Sequence, residues 1–594
     1  IGRIPAATVA EAAIAVDKII HYHDVQTFGN WRNHITFIGD DEDNNIHVND
    51  SEKLASLVNQ YNPEYATPKI YFDAYTQIMT PEERYPLVNE AIKRSVQSGS
   101  LIVNYIGHAS EDGLAHERVL TLNDIGALTN KDRLPLFVTA TCEFSRWDMT
   151  VKRSAGEHLF FHPAGGAIAL LSATRLVYSS SNFEINKSFI RHAFDKDDQG
   201  APLRLGDLIR IVKNENGRSI NTSKFCLLGD PALRLNYPEY NCISTEINHQ
   251  PVEQFSGVLS PLSQVTVSGE IRDNTGKKAE VFNGSLSAVV YDQPAGRNTL
   301  GNGGFPSFTY QVQENILFNG SVPVLNGSFT YSFVVPKDVS FSKNAGLIRY
   351  YFSNSATDGN GSFANIRFNG TDIQPVTDNK GPAIRLFLEN ESFREGDCVS
   401  PNPLLMVFLS DESGINTSDF GIGHHITLEL DGDVSQQVIL NNYYKSDAAG
   451  WKSGALFYPL SSLTEGSHTL TFKVWDTANN SSSITVRFEV SNELRIQQAY
   501  NYPNPFTGQT RFVITHNRYD EMVGVNLEVM DLTGRIIYNK QENLPSGGYE
   551  INDLYWDASQ SNQVPASGIY LYRITLTDQD GNHAGHSGRM ILKK

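Results

Sequence analysis

A chain of 594 residues is far longer than a single hydrophobic core organises, so three to five domains are expected. Apolar residues make up 40% of it and aromatic residues 10%, which excludes wholesale disorder. With 66 acidic against 48 basic residues the formal charge is -18, a balance that repels phosphate backbones and argues against any nucleic-acid partner.

From residue 1 to about 240, helix-like stretches alternate with short apolar runs. The helical stretches include "TVAEAAIAVDKIIHYH" (8–23), "SEKLASLVNQY" (51–61) and "YPLVNEAIKRSVQSG" (85–99). The runs "HITFIG" (34–39), "SLIVNYIG" (100–107), "LPLFVTAT" (134–141) and "GGAIALLSAT" (165–174) are continuous rather than alternating, as in strands buried on both faces of a parallel sheet covered by helices. Residues 1–240 therefore read as one α/β domain.

Beyond residue 241 the pattern changes to short period-2 strands separated by Gly, Asn and Pro, such as "QVTVSGEIRD" and "GSFTYSFVVP". A β-sandwich module is expected over 241–378. The rhythm restarts after Gly-Pro, giving a second, Ig-like sandwich over 379–492. A small all-β module follows over 493–594, opening with "AYNYPNPFTGQTRFVIT". The chain opens at Ile1 with neither a charged segment nor an apolar leader, so an upstream part of an exported precursor is expected to be absent from it. No apolar run reaches the length of about eighteen residues that a membrane-spanning helix needs.

Ligands and catalytic groups collect at the carboxyl ends of the strands in an open parallel sheet. His108 follows the run ending at Gly107, and Cys142 follows the run ending at Thr141. The interval between them has room for a helix and one strand, which suits neighbouring strands. A thiolate is the nucleophile in cysteine catalysis, and a histidine beside it stores the proton and returns it to the leaving amine. The backbone N–H groups of Ala109 and Cys142 are the candidate oxyanion hole. Taken singly, such a Cys is equally compatible with a small core residue and such a His with a solvated side chain.

The remaining cysteines, 226, 242 and 398, are too few for a disulfide scaffold; Cys226, in "KFCLLG", reads as core. His21 and His23 point to different helix faces, and with neither HExxH nor paired CxxC spacing no metal ligands are assigned.

"NYIGHASE", "LPLFVTATCEFSRWD", "GGAIALLSATR" and "FCLLGDPALRL" in succession resemble the gingipain-type cysteine peptidase family. The resemblance implies a caspase-like α/β fold with His108 and Cys142 as the catalytic pair. It also implies a histidine-orienting carboxylate in "FIGDDEDNNIHVND" (37–50), assigned first to Asp41 and next to Asp40. A solvated acidic loop, or a structural calcium site as the one cofactor, fits that segment equally well. Ala109 stands where compared members carry glycine. Asn44 and Asn45 stand where arginine-specific members carry a carboxylate, so a cationic P1 residue is not expected to be preferred. Glu143, Arg146 and Trp147 are assigned to the substrate pocket, with packing or salt-bridge roles as the alternative.

More narrowly, "TATCEFSRWD" and the β modules behind it resemble the branch of that family that acts as signal peptidase and sortase in type IX secretion. The "NYPNPF" tail resembles a type A C-terminal signal domain of that system. The implied protein is exported, sits on the cell surface peripheral to the outer membrane, and cuts C-terminal signal domains from cargo proteins. Its implied partners are that cargo, an anionic lipopolysaccharide acceptor and an outer-membrane β-barrel resembling PorV. Two alternatives stand: a secreted gingipain-like protease that only hydrolyses, and a catalytically silent surface scaffold or adhesin. A protease beside a β module like its own substrate is also expected to rest with His108 and Cys142 blocked or misaligned.

Overall fold

The structure is a computed structural model and describes residues 1–79, 83–218, 220–340, 344–369, 378–421, 423–448, 450–519, 521–546, 548–560 and 565–593. Seven strands form the sheet of the α/β domain: β1 (Gly2–Arg3), β2 (Ile35–Gly39), β3 (Lys69–Tyr71), β4 (Ile102–Ile106), β5 (Leu136–Ala140), β6 (Ala169–Ala173) and β7 (Phe225–Leu228). Their spatial order is β1-β7-β6-β5-β4-β2-β3, and every neighbouring pair is parallel except β6 with β7. All five residues of each of β2, β4, β5 and β6 are buried, which is why these strands read as unbroken apolar runs.

Helices cover both faces. Leu54 and Val58 of α2 (Ile46–Tyr61), Ile185 and Phe189 of α6 (Ser179–His192), and Leu208 and Val212 of α7 (Leu205–Glu215) pack one core. Val88, Ile92 and Val96 of α3 (Pro86–Ser98), with Ile125 of α4 (Leu122–Gly126) and Leu159 and Phe160 of α5 (Ala155–Phe161), pack the other. The helix α1 (Val9–His21) opens with a capping box between Thr8 and Glu11. Proline at the first position starts α3, and Gly99, at φ 95°, ends it against Trp31, where a Cβ would sit 2.6 Å from the Trp31 Cβ.

Lys18 of α1 is 3% exposed, and its ammonium donates to the Phe160 carbonyl at 2.7 Å and the Ala167 carbonyl at 3.1 Å. Burial lowers its pKa from 10.5 to about 7. Between those two values the folded chain holds the amine neutral while the unfolded chain keeps it protonated, so stability rises with pH across that window. The urea midpoint of the wild type is expected to climb relative to Lys18→Met from pH 7 to pH 9, by at most roughly 1.4 kcal/mol per pH unit. A difference that does not change with pH would mean the amine stays charged.

The described chain divides into two compact units, Ile1–Val335 with Val339–Ile373, and Pro336–Asp338 with Gln374–Lys594. The α/β domain and the β module after it thus belong to one unit. That module hydrogen-bonds seven strands in the order 328–334, 264–272, 240–247, 358–366, 346–353, 284–291, 316–324, with side chains alternating between core and surface. A hairpin arm from it, Ala295–Asn298 paired with Thr309–Val312, reaches the α/β domain. There the Gly301 and Asn302 N–H groups donate to the buried Asp73 carboxylate at 2.9 and 2.6 Å. Tyr310 packs edge-on against Tyr71, and the Gln311 carbonyl accepts from the Lys69 ammonium.

In the second unit, Leu386, Val407 and Leu456 face Leu428, Phe472 and Phe488 across one core. A separate core around Phe506, Phe512, Trp556 and Tyr572 joins a three-stranded to a four-stranded sheet. All four cysteines are free thiols. No helix among the described residues is long and apolar enough to cross a membrane.

Candidate active site

The ends of β2, β4 and β5 lie level, because Gly39 pairs with Ile106 and Ala140 pairs with Ile106. His108 and Cys142 each stand two residues beyond their paired strand ends, so they occupy equivalent positions on neighbouring strands, which run about 4.8 Å apart. The half-buried Cys142 accepts the Val177 N–H at 3.4 Å, and its thiol points at the Val177 carbonyl at 3.7 Å. The His108 ring turns instead toward the acidic loop. Among the described residues no hydrogen bond joins Cys142 to His108.

The loop divides its carboxylates. Asp40, fully buried, accepts the His108 backbone N–H at 2.8 Å, and burial pushes its carboxyl up to about 8 despite that donor. Asp41 accepts the Tyr85 hydroxyl at 2.5 Å, and its carboxyl is likewise raised by burial. Neither carboxylate reaches the His108 ring. Asp43 does, with its Oδ2 at 3.1 Å from His108 Nε2, and Glu42 Oε2 lies 3.3 Å from the same nitrogen.

The assignment of the orienting carboxylate to Asp41 or Asp40 is therefore corrected to Asp43, supported by Glu42. The physical reason is the backbone: Asp43, Asn44 and Asn45 take φ values of 56°, 57° and 64°, three successive left-handed residues that fold the loop back over the strand ends. Each such residue costs roughly 1–2 kcal/mol in general, least for Asn and Asp. Two carboxylates accepting at Nε2 place the proton there and leave Nδ1 as the basic nitrogen of the neutral ring.

Ala115 N–H donates to the His108 carbonyl, which makes Ala109 and Leu114 the non-hydrogen-bonded pair of their hairpin and turns the Ala109 N–H away from that ladder. His116 stacks on His108 at 5.2 Å and lies 2.9 Å from Glu42. Beside them opens a cleft of about 1050 Å³ lined by Met79, Ser110, Gly113, Glu117, Arg118 and Leu122, among others. Burial, with Asp41 and Glu42 nearby, raises the Glu117 carboxyl to about 7.

None of the pocket residues expected from sequence lines this cleft. Asn45 donates to the Pro306 carbonyl of the hairpin arm at 2.6 Å, and Asn44 is exposed. Glu143, at φ 52°, pairs with Arg146 at 3.0 Å, and Trp147 packs beneath the Arg3 guanidinium at 4.5 Å. In this structure Glu143, Arg146 and Trp147 make salt-bridge and packing contacts. Glu42 and His47 are signalled in the sequence only by the density of acidic and histidine side chains around 40–47, and Tyr85 and His116 carry no such signal.

Residues 1–236 match the model of peptidase family C25. This segment is thus similar to the cysteine peptidases of that family. Among solved structures, dimeric latent PorU from Porphyromonas gingivalis is 27% identical, the match covering all of this chain and 50% of that one, with a TM-score of 0.32. The Arg-specific cysteine proteinase gingipain R is 15% identical over 61% of this chain and 74% of its own, with a TM-score of 0.35. Superpositions this loose carry no geometric argument, and the chain spans half the length of the PorU chain. No curated protein matches. The matched segment contains the whole strand-end cluster, from Asp40 to Val177.

Proposed function

We propose that this protein is a cell-surface cysteine endopeptidase and transpeptidase, built as a caspase-like α/β domain followed by three Ig-like modules. It removes C-terminal signal domains from type IX secretion cargo and transfers the cargo to an anionic lipopolysaccharide. The observation that supports this reading best is the equivalent register of His108 and Cys142 on neighbouring strands of the segment that matches family C25.

In the reaction, His108 Nδ1 takes the Cys142 proton and the thiolate attacks the carbonyl carbon of the scissile peptide bond. The Ala109 and Cys142 N–H groups hold the oxyanion. The tetrahedral intermediate collapses as His108 returns its proton to the departing amine, leaving a thioester on Cys142. An amine of the acceptor, or water, then displaces the thiolate, and His108 removes the proton from that nucleophile. Asp43 keeps the Nε2 proton in place throughout and stabilises the imidazolium. The "NYPNPF" tail supports retention at the surface through a β-barrel partner resembling PorV.

The deciding experiment is mass spectrometry of signal-bearing cargo incubated with the wild type and with Cys142→Ala, with and without an added amine. Amine-joined product from the wild type alone supports transpeptidation. Hydrolysed product alone reduces the reading to a peptidase, and cleavage that ignores Cys142 removes it. Asp43→Asn is expected to lower kcat by about tenfold or more with KM little changed. Asp41→Asn should act on stability through Tyr85 and leave kcat near wild type; the reverse ranking would return the orienting role to Asp41.

A further inference from the structure

His47 lies in the first turn of α2, is 4% exposed, and makes no hydrogen bond through either ring nitrogen. A buried imidazole with no well-formed hydrogen bond calls for an explanation, because neutral histidine carries both a donor and an acceptor. Its Nε2 stands 3.3 Å from Asp43 Oδ2, the same oxygen that lies 3.1 Å from His108 Nε2, and the His47 and His108 rings meet edge to face at 5.3 Å. One ligand atom from each of Asp43, His47 and His108 falls within 4.8 Å of the other two.

Those spacings match a metal's needs. Zinc bonds of about 2.0–2.1 Å to nitrogen and oxygen in a tetrahedron put neighbouring ligand atoms roughly 3.3 Å apart. Two imidazoles and a carboxylate suit Zn²⁺ better than Mg²⁺ or Ca²⁺, which take oxygen. Glu42 Oε2 stands at the edge of this cluster, 3.3 Å from His108 Nε2. No ligand spacing announces this in the sequence, since the donors come from a loop, a helix start and a strand end.

We infer that Asp43, His47 and His108, with Glu42 beside them, form a Zn²⁺ site that competes with proton transfer at His108. The metal takes the Nε2 lone pair, so the ring's one proton moves through water from Nε2 to Nδ1. Nδ1 then has no lone pair to receive the Cys142 proton, and the thiolate does not form by that route. Binding stands by itself; the competition rests on the peptidase reading above.

Cobalt(II) added to the full chain tests the site without an activity assay. Cys142→Ala is expected to keep saturable tetrahedral visible bands and to show no thiolate charge-transfer band. Asp43→Asn is expected to bind more than about tenfold more weakly. Asp43 is exposed and Asn tolerates its left-handed backbone, so that variant retains the fold should His47→Gln not. Bands lost in Cys142→Ala, or unchanged affinity in Asp43→Asn, would overturn the site. In cleavage assays zinc should inhibit the wild type, a chelator should reverse it, and Asp43→Asn should need more than about tenfold more zinc. Equal zinc sensitivity refutes the competition. Metal-free protein with no Cys142-dependent cleavage instead refutes the peptidase reading and leaves the cobalt result standing.

Discussion

Cys142→Ala is expected to leave no measurable peptide cleavage, and His108→Ala to lower kcat/KM by at least about 10³-fold. Both losses follow from the shared register of the two strand ends. His108 and Cys142 extend neighbouring parallel strands by the same two residues, so a substrate carbonyl lying across those strand ends meets thiol and imidazole together. Residues that act as one unit lose their effects non-additively, and the double variant should be little worse than Cys142→Ala. In the resting structure the thiol is held at Val177 and the imidazole at Asp43 and Glu42, so engagement needs the His108 ring to turn. Single-turnover acylation of the wild type should therefore show a lag or a slow phase that substrate shortens. A Cys142→Ala protein that keeps more than a tenth of wild-type cleavage would leave the surface-scaffold reading in its place.

The parts of the site that could be read from sequence are those fixed by strand periodicity. Unbroken apolar runs marked β2, β4, β5 and β6, and the polar residue two places beyond a buried strand end marked His108 and Cys142. The same rule applied to β2 gives Asp41, since Gly39 is level with Ile106, and there it fails. The Tyr85 hydroxyl takes up Asp41, three left-handed residues begin at Asp43, the carboxylate that meets the His108 ring, and nothing in "DEDNN" fixes that turn beyond its tolerance of such backbone. The helix α2 begins five residues before the pattern that announced it, because its first turn, "IHVND", is mostly polar. Helix α6 has no clear apolar periodicity, because polar Asn182, Asn186 and Ser188 occupy its buried face, where Asn186 exchanges two hydrogen bonds with Asn104 of β4.

Long-range support was beyond any periodicity. Asn45 meets Pro306, Asp73 meets Gly301 and Asn302, and Asn302 also donates to Tyr85, the partner of Asp41. The hairpin arm of the first β module thus braces the acidic loop from outside. A module without a site of its own acquires a function in this way, as the wall against which the histidine's carboxylates are set.

Arg32→Met should destabilise the unit holding the α/β domain by about 3–5 kcal/mol, read as a lower urea midpoint. Arg32 precedes β2, and its guanidinium meets the Asp358 carboxylate of the first β module at 2.8 Å, with 4% and 2% of the two side chains exposed. It also donates to Thr27 and covers the Phe28 ring at 4.4 Å. Without it, Asp358 keeps the Tyr351 hydroxyl, at 2.8 Å, but no cation, and burial already raises its carboxyl against the pull of Arg32. The loss is mostly the penalty of a stranded buried charge, so the pair's own contribution is smaller than the variant suggests. Arg32→Met combined with Asp358→Asn should therefore recover at least half of the lost stability. If the double variant is as unstable as the sum of the two single ones, the attraction itself holds the two domains together. Recovery also separates stability from support of the site: the double variant should regain the fold, and its cleavage rate then reports whether the arm still sets Asp43 against His108.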